Sequence, residues 1–86
     1  MDETLGTYIG KITHFFSKIN VAIVLIEEGL LKKGDTIRIK GHTTDFEQKV
    51  ASMQIDHKEI AEAKPGDDIG MKMDQPVHEH DKVYKV

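Results

Sequence analysis

The sequence predicts a small all-β domain, an antiparallel sandwich or barrel. Apolar and polar residues alternate over short stretches, turn signals rich in glycine, proline and aspartate recur between them, and no long segment carries helical spacing. At 86 residues the chain suits one domain, which we place at residues 7–86 behind a flexible N-terminus at 1–6. A chain this short buries only about 60% of its unfolded surface, so its core must be compact.

Residues 8–16 read as the first strand, rich in β-branched and aromatic side chains. Simple alternation puts Tyr8, Gly10, Ile12, His14 and Phe16 on one face and Ile9, Lys11, Thr13 and Phe15 on the other. Residues 17–20 are a polar break of hairpin length. Residues 21–27 begin with six apolar residues in a row, which predicts a strand covered on both faces. Residues 30–35 form a loop that turns at Gly34-Asp35, and its two leucines need cover, so it folds back over an open end of the domain. Thr36–Lys40 alternates, with Ile37 and Ile39 inward. A polar loop at 41–45 leads into a longer strand at 46–55, whose phase shift near Ala51-Ser52 reads as a bulge. Residues 63–67 are a strong turn signal, residues 69–73 alternate as a strand, and residues 81–86 hold a last short strand built on Val83 and Tyr84. The segment 56–64 fits a short helix, with Asp56 and Glu59 as a capping box, as well as it fits an irregular strand.

Composition narrows the function classes. With 38% hydrophobic and 31% charged residues, and apolar blocks along the whole chain, disorder is not expected. The lack of cysteine excludes disulfides and thiolate metal sites and fits a reducing compartment. The first residues, Met1-Asp2-Glu3-Thr4, are acidic where a secretory leader is basic, and Val21–Ile26 falls far short of the roughly 20 apolar residues of a membrane helix. A cytoplasmic protein with no membrane partner is expected. The formal net charge of −3 argues against an unspecific nucleic-acid binder. The charge is uneven, however: residues 11–40 hold six Lys or Arg against three acids, and residues from 41 onward six Lys against ten acids.

Several blocks together carry a resemblance. They are Ile9-Gly-Lys-Ile12, the Val21–Ile26 run with Glu27, and Gly29-Leu-Leu-Lys-Lys-Gly-Asp-Thr-Ile-Arg-Ile39. Lys49-Val-Ala-Ser-Met-Gln-Ile55, Ala63-Lys-Pro-Gly-Asp-Asp-Ile-Gly70 and Asp81-Lys-Val-Tyr84 follow. In this order they resemble the second domain of the translational GTPases, the barrel of elongation factor Tu and initiation factor 2, over residues 7–86. The same barrel is similar to the small C-terminal domain of some collagenase-like peptidases. The resemblance implies a closed antiparallel Greek-key barrel of about six strands, with 56–64 extended rather than helical. Gly34 and Gly66 then sit at sharp turns that Asp35 and Asp67 fix through backbone amides. Two departures bear on function. No Gly-x-x-x-x-Gly-Lys-Ser/Thr loop exists, so no nucleotide is expected. Residues 17–20, Ser-Lys-Ile-Asn, also lack the glycines of the hairpin that helps receive tRNA in elongation factor Tu.

No catalytic residue, metal site or cofactor is expected. His78 and His80 would share a face if extended, with Asp81 as an oxygen donor, but no third distant ligand is identifiable. Ser52, His57 and Asp56 are a hydroxyl, an imidazole and a carboxylate that nothing marks as converging. The best binding candidates are Lys11, Lys18, Lys32, Lys33, Arg38 and Lys40, which suit RNA phosphates. One of Phe15 and Phe16 can face outward beside Lys18, to stack on a base or anchor a protein. Two readings follow: a non-catalytic module binding RNA or the ribosome, and a protein-interaction module related to the peptidase barrel. A continuous positive face with an exposed phenylalanine around Lys18, Lys32 and Lys33 favours the first; a flat apolar patch there favours the second.

Overall fold

The computed structural model describes residues 6–86, so most of the expected flexible segment lies outside the described residues. These residues form ten strands: β1 (Thr7–Phe16), β2 (Val21–Ile26), β3 (Leu31–Lys32), β4 (Thr36–Lys40), β5 (Asp45–Lys49), β6 (Met53–Ile55), β7 (Lys58–Ile60), β8 (Glu62–Ala63), β9 (Asp68–Lys72) and β10 (Lys82–Lys85). Eight join one antiparallel sheet in the order β5-β4-β10-β1-β2-β9-β6-β7, and β3 pairs with β8 in a separate ribbon. The all-β antiparallel fold is as the sequence predicts, and 56–64 is extended, with a hairpin at 55–58. No helix among the described residues is long and apolar enough to cross a membrane.

The core gathers the inward residues of nearly every strand, including Ile9, Ile12, Val24, Ile26, Ile37, Ile39, Met53, Ile69, Met71 and Val83. β1 departs from simple alternation. Ile9 and Ile12 are both buried, and Phe15 packs on the core three residues further on. The reason is two register shifts, one against β10 between Tyr8 and Gly10 and one against β2 between Ile12 and His14. Each inserts a residue and bends the strand, turning a period of two into a period of three at the core. The carbonyl of Ile9 accepts the N–H groups of both Glu27 and Glu28, and the Thr13 hydroxyl donates to the Ile23 carbonyl, so polar groups at both irregularities are engaged. Gly10 lies between them. A Cβ there would stand 2.1 Å from the Leu25 carbonyl oxygen, so only glycine lets β1 approach β2 this closely.

Three further expectations change. The stretch 46–55 is not one bulged strand: β5 pairs with β4, whereas β6 pairs with β7 and β9. The chain turns a corner at 50–52, where buried Val50 donates to the Asp35 carbonyl and accepts from the Gly34 N–H. A phase shift in the sequence marks a bulge and a corner alike. In β2 only Ala22, Val24 and Ile26 are buried, while Val21, Ile23 and Leu25 are half-buried, so the outer face is incompletely covered. Of the two loop leucines, Leu31 is fully buried under the β3–β8 ribbon and Leu30 is exposed.

One side chain links β5, at one end of the sheet, to the far side of the strand order. Gln48 on β5 is buried; its amide nitrogen donates to the Lys72 carbonyl (2.9 Å), and its amide oxygen accepts the Asp74 N–H (2.8 Å). β5 is thereby tied to the end of β9, five places away in the strand order. The two Gly-Asp turns repeat one device. Gly34 and Gly66 have φ of 96° and 95°, a region closed to most residues. The Asp35 and Asp67 carboxylates accept the N–H groups of Lys32 and Lys64 respectively, three residues back. These residues shape the fold, as the sequence implied.

Candidate interaction surface

Two features of the outer surface stand out. The first is a groove of about 500 Å³ lined by Phe16, Ile19, Val21, Ile23, Gln54, Asp56, His57, Asp68 and Gly70. Its floor is the incompletely covered outer face of β2, beside Gly70 of β9, whose lack of a side chain leaves Ile23 open opposite it. One wall is the β1–β2 hairpin, with Phe16 (45% exposed) and Ile19 (58% exposed). The other is the β6–β7 hairpin, whose two turn residues, Asp56 and His57, both have positive φ (52° and 66°). Such a two-residue turn is usually built with glycine or asparagine. Residues from four strands thus meet at a surface that is apolar in the middle and polar along one side.

Phe16 is the outward member of the Phe15-Phe16 pair, since Phe15 packs on the core. It stacks edge-on against His14, with ring centres 4.4 Å apart, and the His14 Nδ1 lies 3.4 Å from a Glu79 oxygen.

The second feature is a row of lysines. Lys11 of β1 stands opposite Lys82 of β10, which stands opposite Lys40 of β4. Neighbours in such a row have Cβ atoms about 5 Å apart, and like charges at that spacing repel. Lys40 is held by Asp45 (3.2 Å), while Lys11 and Lys82 make no ion pair with a described residue. Lys82 is the member that sequence reasoning missed. Only the register between β10 and its neighbours reveals it, and that register cannot be read from residue types.

The structure does not bring the six expected basic residues together. Lys32 and Lys33 lie at the β3–β8 end, paired with Glu62 (3.9 Å) and Glu59 (2.7 Å). Arg38 on β4 is bonded to Asp45 (2.8 Å) and lies near Glu47 (3.7 Å). These contacts lower the carboxyl pKa values of Asp45 and Glu59, through hydrogen bonds first from Arg38 and from Lys33 respectively. Lys18 sits on the β1–β2 turn, beside apolar Ile19 in the chain. Four of the six are therefore engaged by acids, and Lys11 joins a different set, with Lys40 and Lys82.

The other candidates stay apart. The segment around His78-Glu79-His80 turns instead of running extended, and His80 has φ of 75°. The His78 ring lies 3.2 Å from the Thr44 hydroxyl and 3.8 Å from buried Asp81. Among the described residues, no three His, Cys, Asp or Glu side chains converge as metal ligands. Ser52, half-buried in the corner before β6, makes no hydrogen bond to His57 or Asp56.

The family model for elongation factor Tu domain 2 matches residues 20–74, well over half of the chain. The chain belongs to the elongation factor Tu domain 2 family. Two relatives extend the comparison of this domain 2 barrel. An uncharacterized protease of Methanocaldococcus jannaschii is 44% identical over 77 residues, which cover 88% of this chain and 19% of the relative. A collagenase of Porphyromonas gingivalis is 36% identical over 80 residues, covering 92% of this chain and 22% of the relative. The chain thus spans about a fifth of the length of these curated relatives. Among solved structures, the C-terminal domain of a Geobacillus thermoleovorans chain described as a U32 peptidase superposes with a TM-score of 0.86 at 17% identity, over 93% of this chain and 92% of that one. At that identity the likeness shows the shared fold.

Proposed function

We propose that this domain is a non-catalytic, cytoplasmic protein-binding module, of the kind carried by collagenase-like peptidases, and that the groove between the β1–β2 and β6–β7 hairpins is its contact surface. The groove carries the reading. Phe16, Ile19, Val21 and Ile23 leave an apolar surface open beside the turn that carries Lys18, while Lys32 and Lys33 are paired with acids at the β3–β8 end. An aromatic and branched aliphatic centre with a polar border is the usual anatomy of a protein interface. The relatives' names add that barrels of this sequence type occur within longer proteases and collagenases. The test is affinity capture from cells at low salt with the tagged domain, wild type beside Ile19→Asp and Ile23→Ser. A partner retained by the wild type and lost from both folded variants supports the reading. Equal recovery by all three sinks it.

One observation favours a second reading. The Lys11–Lys82–Lys40 row keeps like charges side by side, an arrangement that a phosphate backbone would relieve. This reading makes the domain an RNA or ribosome binder through that row. Filter binding against ribosomal RNA and tRNA at low salt, with Lys82→Ala as comparison, decides it. Absence of binding at micromolar protein removes this reading.

A further inference from the structure

We infer that the groove receives an arginine or lysine side chain, presented with apolar neighbours on an extended segment of a partner protein. This rests on the protein-binding reading above and names the chemistry of the partner. The groove is chemically two-sided. Val21, Ile23, Phe16 and Ile19 provide an apolar floor and wall, and Gln54, Asp56, His57 and Asp68 provide the polar side. None of the nine lining residues is a lysine or arginine, and two are aspartates. Both aspartates are exposed, and neither makes an ion pair with a described residue.

A wholly apolar occupant would strip water from Asp56 and Asp68 and return nothing to them. An anionic occupant would be repelled by both. A side chain with an aliphatic stem and a cationic head satisfies each part in turn: the stem lies along Val21 and Ile23, and the head reaches the carboxylates. A space of about 500 Å³ is within the usual range for binding pockets and leaves room for a flanking apolar residue against Phe16 and Ile19.

The test is a ¹⁵N-NMR titration of the domain with the blocked pentapeptide acetyl-Gly-Leu-Arg-Leu-Gly-amide. Matched peptides carry citrulline or glutamate in place of arginine, and a single-stranded RNA hexamer is a separate arm. The expected result is shifts at the amides of Val21, Ile23, Asp68 and Gly70 with the arginine peptide. Affinity falls at least tenfold with citrulline, and the glutamate peptide does not bind. Asp56→Asn and Asp68→Asn should each weaken the arginine peptide severalfold while leaving the spectrum folded, since asparagine is well suited to the Asp56 turn conformation. Ile19→Ser, at an exposed turn, should weaken all binding. Equal affinity for the arginine and citrulline peptides overturns this inference and leaves protein binding in the groove standing. RNA shifting the groove amides, or no peptide shifting them, overturns it as well. The capture experiment with Ile19→Asp and Ile23→Ser then decides separately whether the groove binds protein at all.

Discussion

Gln48 offers a direct test of what ties β5 to β9. No described strand ladder joins β5 to β9, so the two hydrogen bonds of the Gln48 amide, to the Lys72 carbonyl and from the Asp74 N–H, fasten them. Gln48→Leu keeps most of the side-chain volume and removes both bonds. Leaving a buried backbone donor or acceptor unpaired costs about 1–3 kcal/mol each, and the extra apolar burial of leucine returns roughly 1 kcal/mol. Both bonds are only part-buried, which puts each loss in the lower half of that range, so the net loss is about 2 kcal/mol. For a domain of this size that lowers Tm by about 8–16 °C. The assay is urea and thermal unfolding followed by far-UV circular dichroism, with Glu47→Gln on the exposed side of the same strand as a control expected within about 0.5 kcal/mol. A Gln48→Leu variant as stable as the control would refute the reasoning, because water or a shifted backbone would then be serving the two groups.

Gly10→Ala should destabilise by about 1–3 kcal/mol in the same assay, because its Cβ would meet the Leu25 backbone and force β1 from β2. Burial first, then the hydrogen bond and negative charge of Glu27, push the Tyr8 pKa up to about 12. Alkaline titration at 295 nm should therefore show one tyrosine ionising near 12, and Glu27→Gln should bring that midpoint part of the way down. The Asp35 carboxyl is held below its ordinary value of 3.8, first by the Lys32 N–H and then by Lys85. A carboxylate lowered in the folded state contributes stability above its unfolded pKa and loses it as pH falls through the folded one. Asp35→Asn should accordingly flatten the acid limb of the stability curve below about pH 4, as read by urea midpoints from pH 5 to pH 2; an unchanged limb would contradict this.

Much of this fold was legible in the sequence because its punctuation is local. The Gly-Asp turns at 34–35 and 66–67 are specified by residues three apart, and each was expected where it occurs. The strands on either side follow from alternation. What was misread depends on partners distant in sequence. Ile9 and Ile12 share the core because β10 skips a residue of β1 between Tyr8 and Gly10, Phe15 joins them because β2 skips one between Ile12 and His14, and neither skip leaves a mark in β1 itself. The break at 50–52 showed as a phase shift, but only the change of partner from β4 to β9 distinguishes a corner from a bulge. The site shows the same division. That one of Phe15 and Phe16 faces outward was expected, yet the groove draws on four strands and two turns and has no sequence signature. The basic residues are legible along the chain, but the acids that the sheet places beside them, such as Asp45 against Arg38 and Lys40, are not.

Site-specific photo-crosslinking in cells tests the central claim most directly, with one photoreactive residue replacing Ile19 at the groove wall and, in a second protein, Lys82 in the lysine row. The account predicts discrete protein adducts from position 19 that vanish when Asp68→Asn and Ile23→Ser are added. Adducts confined to position 82, and consisting of RNA, would contradict it.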